Sequence, residues 1–162
     1  MIPLDDSSIR SSLVNASQRE RKAVTLPELA GVDWPELDFL AWRDPKLDRT
    51  AYVVVELDGR AVGFVLREAS GRPRTRPQCS WCDDVLLPND VTFFTARRAG
   101  AAGRNGNTVG TLICSDFECS SNVRRPPTSA TAAFDPEGET RRRIEVLREH
   151  ARGFARSVLG AA

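Results

Sequence analysis

The chain has 162 residues, and its 23 basic and 22 acidic side chains leave a formal net charge of +1. This length allows one domain with a hydrophobic core of its own, and we treat residues 1–162 as a single domain. A nearly neutral chain has no global field that would drive it onto DNA or a membrane, so any electrostatic recognition has to come from local patches.

The sequence contains no signal for membrane insertion or export. No apolar run approaches the roughly 20 residues of a membrane span. Residues 1–10 carry Asp5 and Asp6 where a secretory signal would have a basic region and an apolar core. We therefore expect a cytoplasmic, monomeric protein that has no membrane partner.

The N-terminal third combines helical and turn-rich segments. Asp5 to Ser8 offer N-caps, and Ile9, Leu13 and Ala16 follow at helical spacing, which predicts one short amphipathic helix near residues 6–20. Prolines then interrupt regular structure. Among them lies an apolar cluster that we assign to the core: Trp34, Leu37, Phe39, Leu40 and Trp42.

A β-hairpin follows over residues 51–67. Residues 51–57 and 60–67 are rich in β-branched and aromatic side chains, and Asp58-Gly59 supplies the positive φ angles of a two-residue turn. A loop over residues 70–78 then carries Arg72, Arg74 and Arg76. It is either a phosphate-contacting arm or a solvated connector, and we favour the connector.

The second half contains two further strands and two helices. Strands are predicted near residues 91–95 and 108–113, joined by a flexible turn over 99–107. A short helix begins near Cys119 and stops before Pro126. After a linker, an apolar stripe opposite charged residues predicts a long helix over 136–159. The predicted fold class is α+β, built from antiparallel hairpins with a short N-terminal and a long C-terminal helix.

All four cysteines fall in two close pairs, Cys79 with Cys82 and Cys114 with Cys119. Disulfides are rare in a reducing compartment, so we predict one tetrahedral zinc ion bound by all four thiolates. The turn, the hairpin and the cysteine pair entering a helix match a treble-clef finger over residues 79–125. The single histidine, His150, lies far away in sequence and is assigned to helix packing or to the surface.

The sequence does not favour catalysis. Four thiolates fill the coordination shell of zinc and leave no position for an activated water, so the ion is structural. Phosphate-binding loops, nucleophile elbows and His-Glu-x-x-His pairs are absent from the sequence. The adjacent Asp83 and Asp84 are assigned to a turn, not to a carboxylate dyad. We predict that the protein is not an enzyme.

The segment from Val91 to Cys119, with Cys79-Ser-Trp-Cys82 before it and Asn122 to Arg124 after it, resembles a known family. It is similar to the C-terminal treble-clef zinc-finger domain of elongation factor G-binding proteins, the FusB type of fusidic acid resistance protein. The similarity extends over residues 4–158. The cysteine spacing and the Gly-Asn-Thr-Val-Gly-Thr sequence carry it.

The resemblance implies a protein that binds elongation factor G, with a contact to ribosomal RNA as a further option. The four family zinc ligands correspond to Cys79, Cys82, Cys114 and Cys119. The family's partner surface lies on and around the finger. It corresponds here to Phe94, Arg97, Arg98, Arg104, Asn105, Asn107 and Leu112.

The chain departs from the family pattern at its N-terminus. FusB-type proteins carry a helical bundle before the finger domain, whereas only the helix predicted near residues 6–20 precedes the β-rich part here. Contacts used for fusidic acid resistance would then be missing, so we expect binding without drug rescue.

The arginines near the finger suggest how a partner would be recognised. Between Val91 and Arg125 there are five arginines against Asp116 and Glu118, a local excess of three positive charges. We expect the zinc ion to hold residues 97–107 in a fixed pose, which would lower the entropic cost of binding an acidic protein face. The alternative is a zinc-finger RNA- or DNA-binding protein that uses the same arginines and the arm from Arg72 to Arg76.

Overall fold

The computed structural model describes residues 1–71, 75, 77–84, 88–126 and 135–160. Five antiparallel strands form one sheet in the order β1-β2-β3-β4-β5. They are β1 (Phe39–Arg43), β2 (Thr50–Leu57), β3 (Arg60–Glu68), β4 (Val91–Arg97) and β5 (Thr108–Cys114). The helices are α1 (Asp6–Ser12), α2 (Gln18–Ala23), α3 (Gly100–Arg104), α4 (Cys119–Arg124) and α5 (Pro136–Leu159), with a 3-10 turn at Trp34–Glu36. The predicted α+β class is confirmed.

The β2–β3 hairpin has the predicted turn. Asp58 and Gly59 have φ angles of 51° and 73°, as a type I′ turn requires. The strands pair from Leu57 with Arg60 to Thr50 with Arg67. Because this turn has the same twist as the strands, the hairpin is determined by its local sequence.

The N-terminal segment differs from its prediction. Two short helices, α1 and α2, replace the single helix expected near residues 6–20. Ser17 starts the second one with a capping box, in which its hydroxyl accepts from the Glu20 amide and the Glu20 carboxylate accepts from the Ser17 amide. Because Ser17 and Glu20 form these hydrogen bonds at the start of α2, the chain leaves the helical conformation between Leu13 and Ser17. Ile9 and Leu13 are fully buried, as predicted.

Strand β1 was not predicted. Its residues were placed in the core without a strand assignment, because they lack the alternation of a half-exposed strand. In the structure Phe39 packs on one side of the sheet, while Leu40 and Trp42 pack on the other. A strand buried on both faces gives no alternating pattern in its sequence.

Each face of the β1–β3 part of the sheet carries its own apolar cluster. On one face α5 packs over β2 and β3, and Phe154 meets Phe64 edge to face at 5.4 Å. On the other face Ile9 of α1 and Leu13, which follows that helix, pack in one cluster with Val54 and Trp42. The β4–β5 hairpin lies outside the part of the sheet that is covered on both faces. The cysteine residues and α4 pack on the same face of the hairpin as α5.

A buried ion network attaches both C-terminal helices to the start of β1. The Asp38 side chain has no exposure and accepts from Arg124 Nη1 of α4 at 2.5 Å and from Arg148 Nε of α5 at 2.9 Å. Its amide donates to the Ser120 hydroxyl at 3.0 Å. A buried carboxylate needs this pairing, so Asp38 fixes where α4 sits.

The connection between β4 and β5 is more ordered than the flexible turn predicted over 99–107. It contains α3, which packs closely against the end of β4. A Cβ atom added to Gly103 would lie 1.8 Å from the Arg98 carbonyl oxygen, so only glycine fits there. The prediction missed this helix because its stability comes from tertiary packing.

The long C-terminal helix has the predicted bounds, with Asp135 as its N-cap and Gly160 in the left-handed conformation after its last residue. Arg72, Arg74 and Arg76 of the predicted loop lie outside the described ranges, and so do residues 127–134 of the linker predicted over 127–135. None of the described helices is both long and apolar enough to span a bilayer.

Candidate metal centre

The fold brings the four cysteine side chains into one cluster, as predicted. Every Sγ atom lies within 4.8 Å of the others, and all four residues are buried. The pairs Cys79–Cys119 and Cys82–Cys114 are each separated by 3.7 Å between Sγ atoms. A tetrahedron with Zn–S bonds of about 2.3 Å has edges of about 3.8 Å, so the donor set fits one zinc ion. The protein therefore holds one structural Zn²⁺.

Cys79 and Cys82 lie on a tight turn that is fixed to the sheet. The Ser80 amide donates to the Leu112 carbonyl at 2.8 Å, and Asp83 ends the turn with a φ of 56°. Between the cysteines, Trp81 is 1% exposed and its indole Nε1 donates to Thr111 Oγ1 at 2.9 Å. The tryptophan thus anchors the turn in the core.

Cys114 and Cys119 are placed by two other elements. Cys114 is the last residue of β5, and Cys119 is the first residue of α4. Between them the Phe117 amide donates to the Cys114 carbonyl at 3.0 Å, in a turn where Phe117 has a φ of 61°. The five-residue spacing is therefore a turn that reverses the chain from strand to helix.

Two asparagine side chains donate to the cysteine sulfurs, and sequence reasoning missed this role. Asn89 Nδ2 lies 3.0 Å from Cys114 Sγ, and Asn122 Nδ2 lies 3.5 Å from the same sulfur. Asn122 is three residues after Cys119 in α4 and is 1% exposed. That helical spacing could have identified Asn122, because residues three apart share a helix face. No local signal identified Asn89.

Ionisation of one thiol in the cluster opposes ionisation of the others. Hydrogen bonds from Cys114 and Cys119 lower the pKa of Cys79, whereas hydrogen bonding with Cys114 and Cys79 raises the pKa of Cys119. The thiolate that forms first therefore makes the last one harder to form. A dication at the centre of the cluster allows all four groups to ionise.

His150 contacts the finger without joining the sulfur cluster. Its Nδ1 lies 3.1 Å from the Trp81 carbonyl oxygen and 3.9 Å from a carboxylate oxygen of Asp83. The prediction of a helix-packing role is confirmed, and the contact joins α5 to the cysteine turn. Asp83 belongs to that turn, as expected.

The structure corrects one residue of the predicted partner surface. Phe94 is fully buried, where it meets Phe117 and lies beneath the Arg43 guanidinium. Its neighbour Phe93 is 40% exposed and is paired with Leu112 across the hairpin. Two adjacent phenylalanines in a strand point to opposite faces, and only the register decides which one is exposed.

Except for Leu112, the other predicted partner residues lie near or beyond the end of the hairpin where Arg97 pairs with Thr108. Arg97, Arg104, Asn105 and Asn107 are exposed. Arg98 is half-buried and donates from Nη1 to the Ser157 carbonyl at 2.9 Å, so its guanidinium is partly occupied. Leu112 is half-buried beside Phe93. We define the outer face as the side of the hairpin formed by Phe93, Thr95, Arg97, Thr108, Gly110 and Leu112.

The zinc ion does not hold residues 97–107 directly, contrary to our expectation. Cys114 pairs with Val91 at one end of the hairpin, and Thr108 pairs with Arg97 at the other. Six residue steps along the strand separate the two ends by about 20 Å. The far end is attached to α5 instead, because the Ala99 amide donates to the Val158 carbonyl at 2.7 Å. Asn15 Nδ2 adds a bond of 3.0 Å to the Arg97 carbonyl.

The predicted charge excess is also distributed differently. Arg124 is committed to Asp38 and to Glu36, which lies 2.9 Å from its Nε. Among the residues that the structure describes, Arg97 and Arg104 have no ion pair. The cationic character therefore concentrates at the hairpin end, away from the metal.

Comparisons with known proteins agree with the geometry of the sulfur cluster. The family model of the FBP C-terminal treble-clef zinc-finger matches residues 8–158. Searches of curated proteins and of solved structures give no match. Since the model covers nearly all of the chain, this protein belongs to the FBP C-terminal treble-clef zinc-finger family.

Proposed function

We propose that this protein is a binding protein, not an enzyme, and that its partner is elongation factor G or a related ribosome-associated factor. Membership of the FBP family supports the choice of partner. The four thiolates support a binding role, because they fill the coordination shell of the metal and leave no site for an activated water.

The observation that carries the proposal is the partly exposed outer face with its cationic end. Phe93 is 40% exposed there, and Arg97 lies on the same side of the hairpin. Arg104, Asn105 and Asn107 follow in the exposed connection. An aromatic side chain beside arginines is typical of protein interfaces, where these residue types provide much of the binding energy.

The partner therefore needs an apolar patch beside acidic groups. Both ends of the hairpin are attached to the rest of the fold, one through the cysteines and the other through α5. A surface held in this way loses little conformational entropy on binding. That preorganisation allows a small hairpin to bind a large translation factor.

Charge reversal at the hairpin end tests the proposal. We expect Arg97→Glu combined with Arg104→Glu to weaken binding of purified elongation factor G by at least about 10-fold, since two attractive contacts become repulsive. The matched control is Arg60→Glu with Arg141→Glu, which changes the net charge equally at two exposed positions elsewhere. Binding is measured by calorimetry at moderate salt, and zinc content is measured for every variant.

Each result has a distinct meaning. Equal loss in both double variants would show a nonspecific charge effect and contradict the surface assignment. Absence of binding by the unmodified protein would contradict the choice of partner. Capture from cell extract that disappears after nuclease treatment would favour an RNA-binding role instead.

A further inference from the structure

The hydrogen-bond pattern of the β4–β5 hairpin shows which backbone groups of β5 point away from β4. The Ser115 amide donates to the Asp90 carbonyl and the Arg98 amide to the Asn107 carbonyl, both at 2.9 Å. In an antiparallel ladder, bonded pairs alternate with pairs whose amides and carbonyls point outward. Residues 109, 111 and 113 therefore bond to β4, whereas Thr108, Gly110 and Leu112 direct their backbone groups to the open side of the sheet.

These outward groups are largely free. The Leu112 carbonyl accepts from the Ser80 amide at 2.8 Å, so the cysteine turn occupies the last position of this edge. Within the described ranges of the chain, no group pairs with the Thr108 and Gly110 amides and carbonyls or with the Leu112 amide. Thr108 and Gly110 are exposed. We define these groups as the β5 edge.

The opposite edge of the sheet is less exposed. Residues of β1 are buried or half-buried, and side chains connect its ends to the segment after β5. Arg43 Nε donates to the Ser115 carbonyl at 3.1 Å, and the Asp38 amide donates to Ser120. Thr108 and Gly110 of β5 are exposed, whereas no residue of β1 is.

The β5 edge lacks the features that usually prevent strand pairing. Natural edge strands are protected by charged side chains, prolines or bulges. The strand Thr-Val-Gly-Thr-Leu-Ile-Cys contains no charge and no proline, and it pairs with β4 without a bulge. A row of free amides and carbonyls at this spacing is complementary to another extended backbone.

The surroundings of the edge indicate the side chains that such a backbone would carry. The Phe93 ring covers Gly110, where an added Cβ would lie 2.4 Å from the ring. A strand placed beside β5 would therefore bring a side chain opposite Gly110 against an exposed aromatic ring. At the other end, Arg97 is opposite Thr108 and Arg104 lies in the preceding connection. Acidic side chains would be attracted there.

We propose that the β5 edge binds an extended segment of the protein partner as a sixth, antiparallel or parallel strand. The segment carries an apolar residue opposite Gly110 and acidic residues near Arg97 and Arg104. This inference rests on the proposed function for the identity of the partner, and it specifies how that partner is bound.

One variant removes a backbone donor while the hairpin ladder stays intact. Thr108 is the first residue of β5, a position where proline is tolerated in sheets, and its amide points outward. Thr108→Pro deletes that donor and places the ring against an incoming strand. Thr108→Val is the matched control, because it keeps the amide and a β-branched side chain.

The experiment combines affinity with hydrogen exchange on the full chain and purified elongation factor G. We expect Thr108→Pro to weaken binding at least about 10-fold, with zinc content and thermal stability unchanged, and Thr108→Val to bind within about 3-fold of the unmodified protein. In the complex, the amides of Thr108, Gly110 and Leu112 should exchange at least about 10-fold more slowly than in the free protein.

The outcomes separate this inference from the proposal it rests on. Two results would overturn the β5 edge assignment while keeping the proposed partner. One is binding that does not slow hydrogen exchange of these three amides, and the other is unweakened binding of Thr108→Pro. Absence of binding overturns both. Protection that rises with the concentration of the free protein would show pairing between two copies and would also overturn it.

Discussion

The two ends of the β4–β5 hairpin are attached to the rest of the protein in different ways. At the Cys114 end, four buried thiolates and a metal hold three chain segments together. At the Arg97 end, one backbone bond and one bond from the Arg98 side chain to α5 hold an exposed, cationic connection. The metal site and the proposed recognition surface therefore lie at opposite ends of one hairpin. We expect that mutations can alter each end without affecting the other.

The largest effect is expected from the loss of a zinc ligand. Cys119→Ser should release the metal and unfold the cysteine turn and α4, because zinc binding contributes roughly 10–16 kcal/mol in isolated finger peptides. Zinc content and circular dichroism check this outcome. With a chelator, the Ser80 amide should lose exchange protection before the Ala99 amide, which is bonded to α5. Simultaneous loss at both amides would contradict the separation of the two ends.

A smaller loss is expected from the buried ion network that supports the cysteine end. Asp38→Ala leaves Arg124 and Arg148 without their shared carboxylate, which should cost about 3–5 kcal/mol of unfolding free energy. Chemical denaturation measures it. The control Glu149→Ala removes an exposed pair with Arg156 and should change stability by less than about 1 kcal/mol. Equal effects would show that burial of Asp38 is unimportant.

Gly103→Ala should affect the opposite end alone. Its Cβ would overlap the Arg98 carbonyl, so α3 has to move, at an expected cost of about 1–3 kcal/mol. Hydrogen exchange of residues 98–107 should accelerate while zinc content stays constant. Gly153→Ala is the control, because its Cβ would meet no atom within 4 Å. Loss of zinc in Gly103→Ala would contradict the independence of the two ends.

The smallest effect is expected from an amide that donates to a zinc ligand. Asn122→Ala removes the bond to the Cys114 sulfur, and outer-shell changes of this kind lower metal affinity roughly 10-fold or more. Competition with a zinc-binding dye measures the affinity. Ser121→Ala is the control, because this exposed hydroxyl bonds only to the local backbone at Glu118. Equal zinc affinity in both variants would show that Asn122 is structural only.

Where the local sequence was decisive, the predictions agree with the structure. The Asp58-Gly59 turn, the long helix from Pro136 and the cysteine cluster each depend on residue types that allow few alternatives. The missed features depend on distant contacts. β1 is buried on both faces, and α3 is held by Gly103 against the end of β4. Neither leaves a periodic signal in its own residues.

The sequence by itself determined the donor set, the metal and the family, because two close cysteine pairs at these spacings are typical of a structural zinc site. Only the tertiary structure decided that Phe93 and not Phe94 is exposed, that Arg124 is committed to Asp38, and that the arginine end lies about 20 Å from the zinc ion. Strand register and helix packing fix these features, and both arise from contacts between residues far apart in the chain.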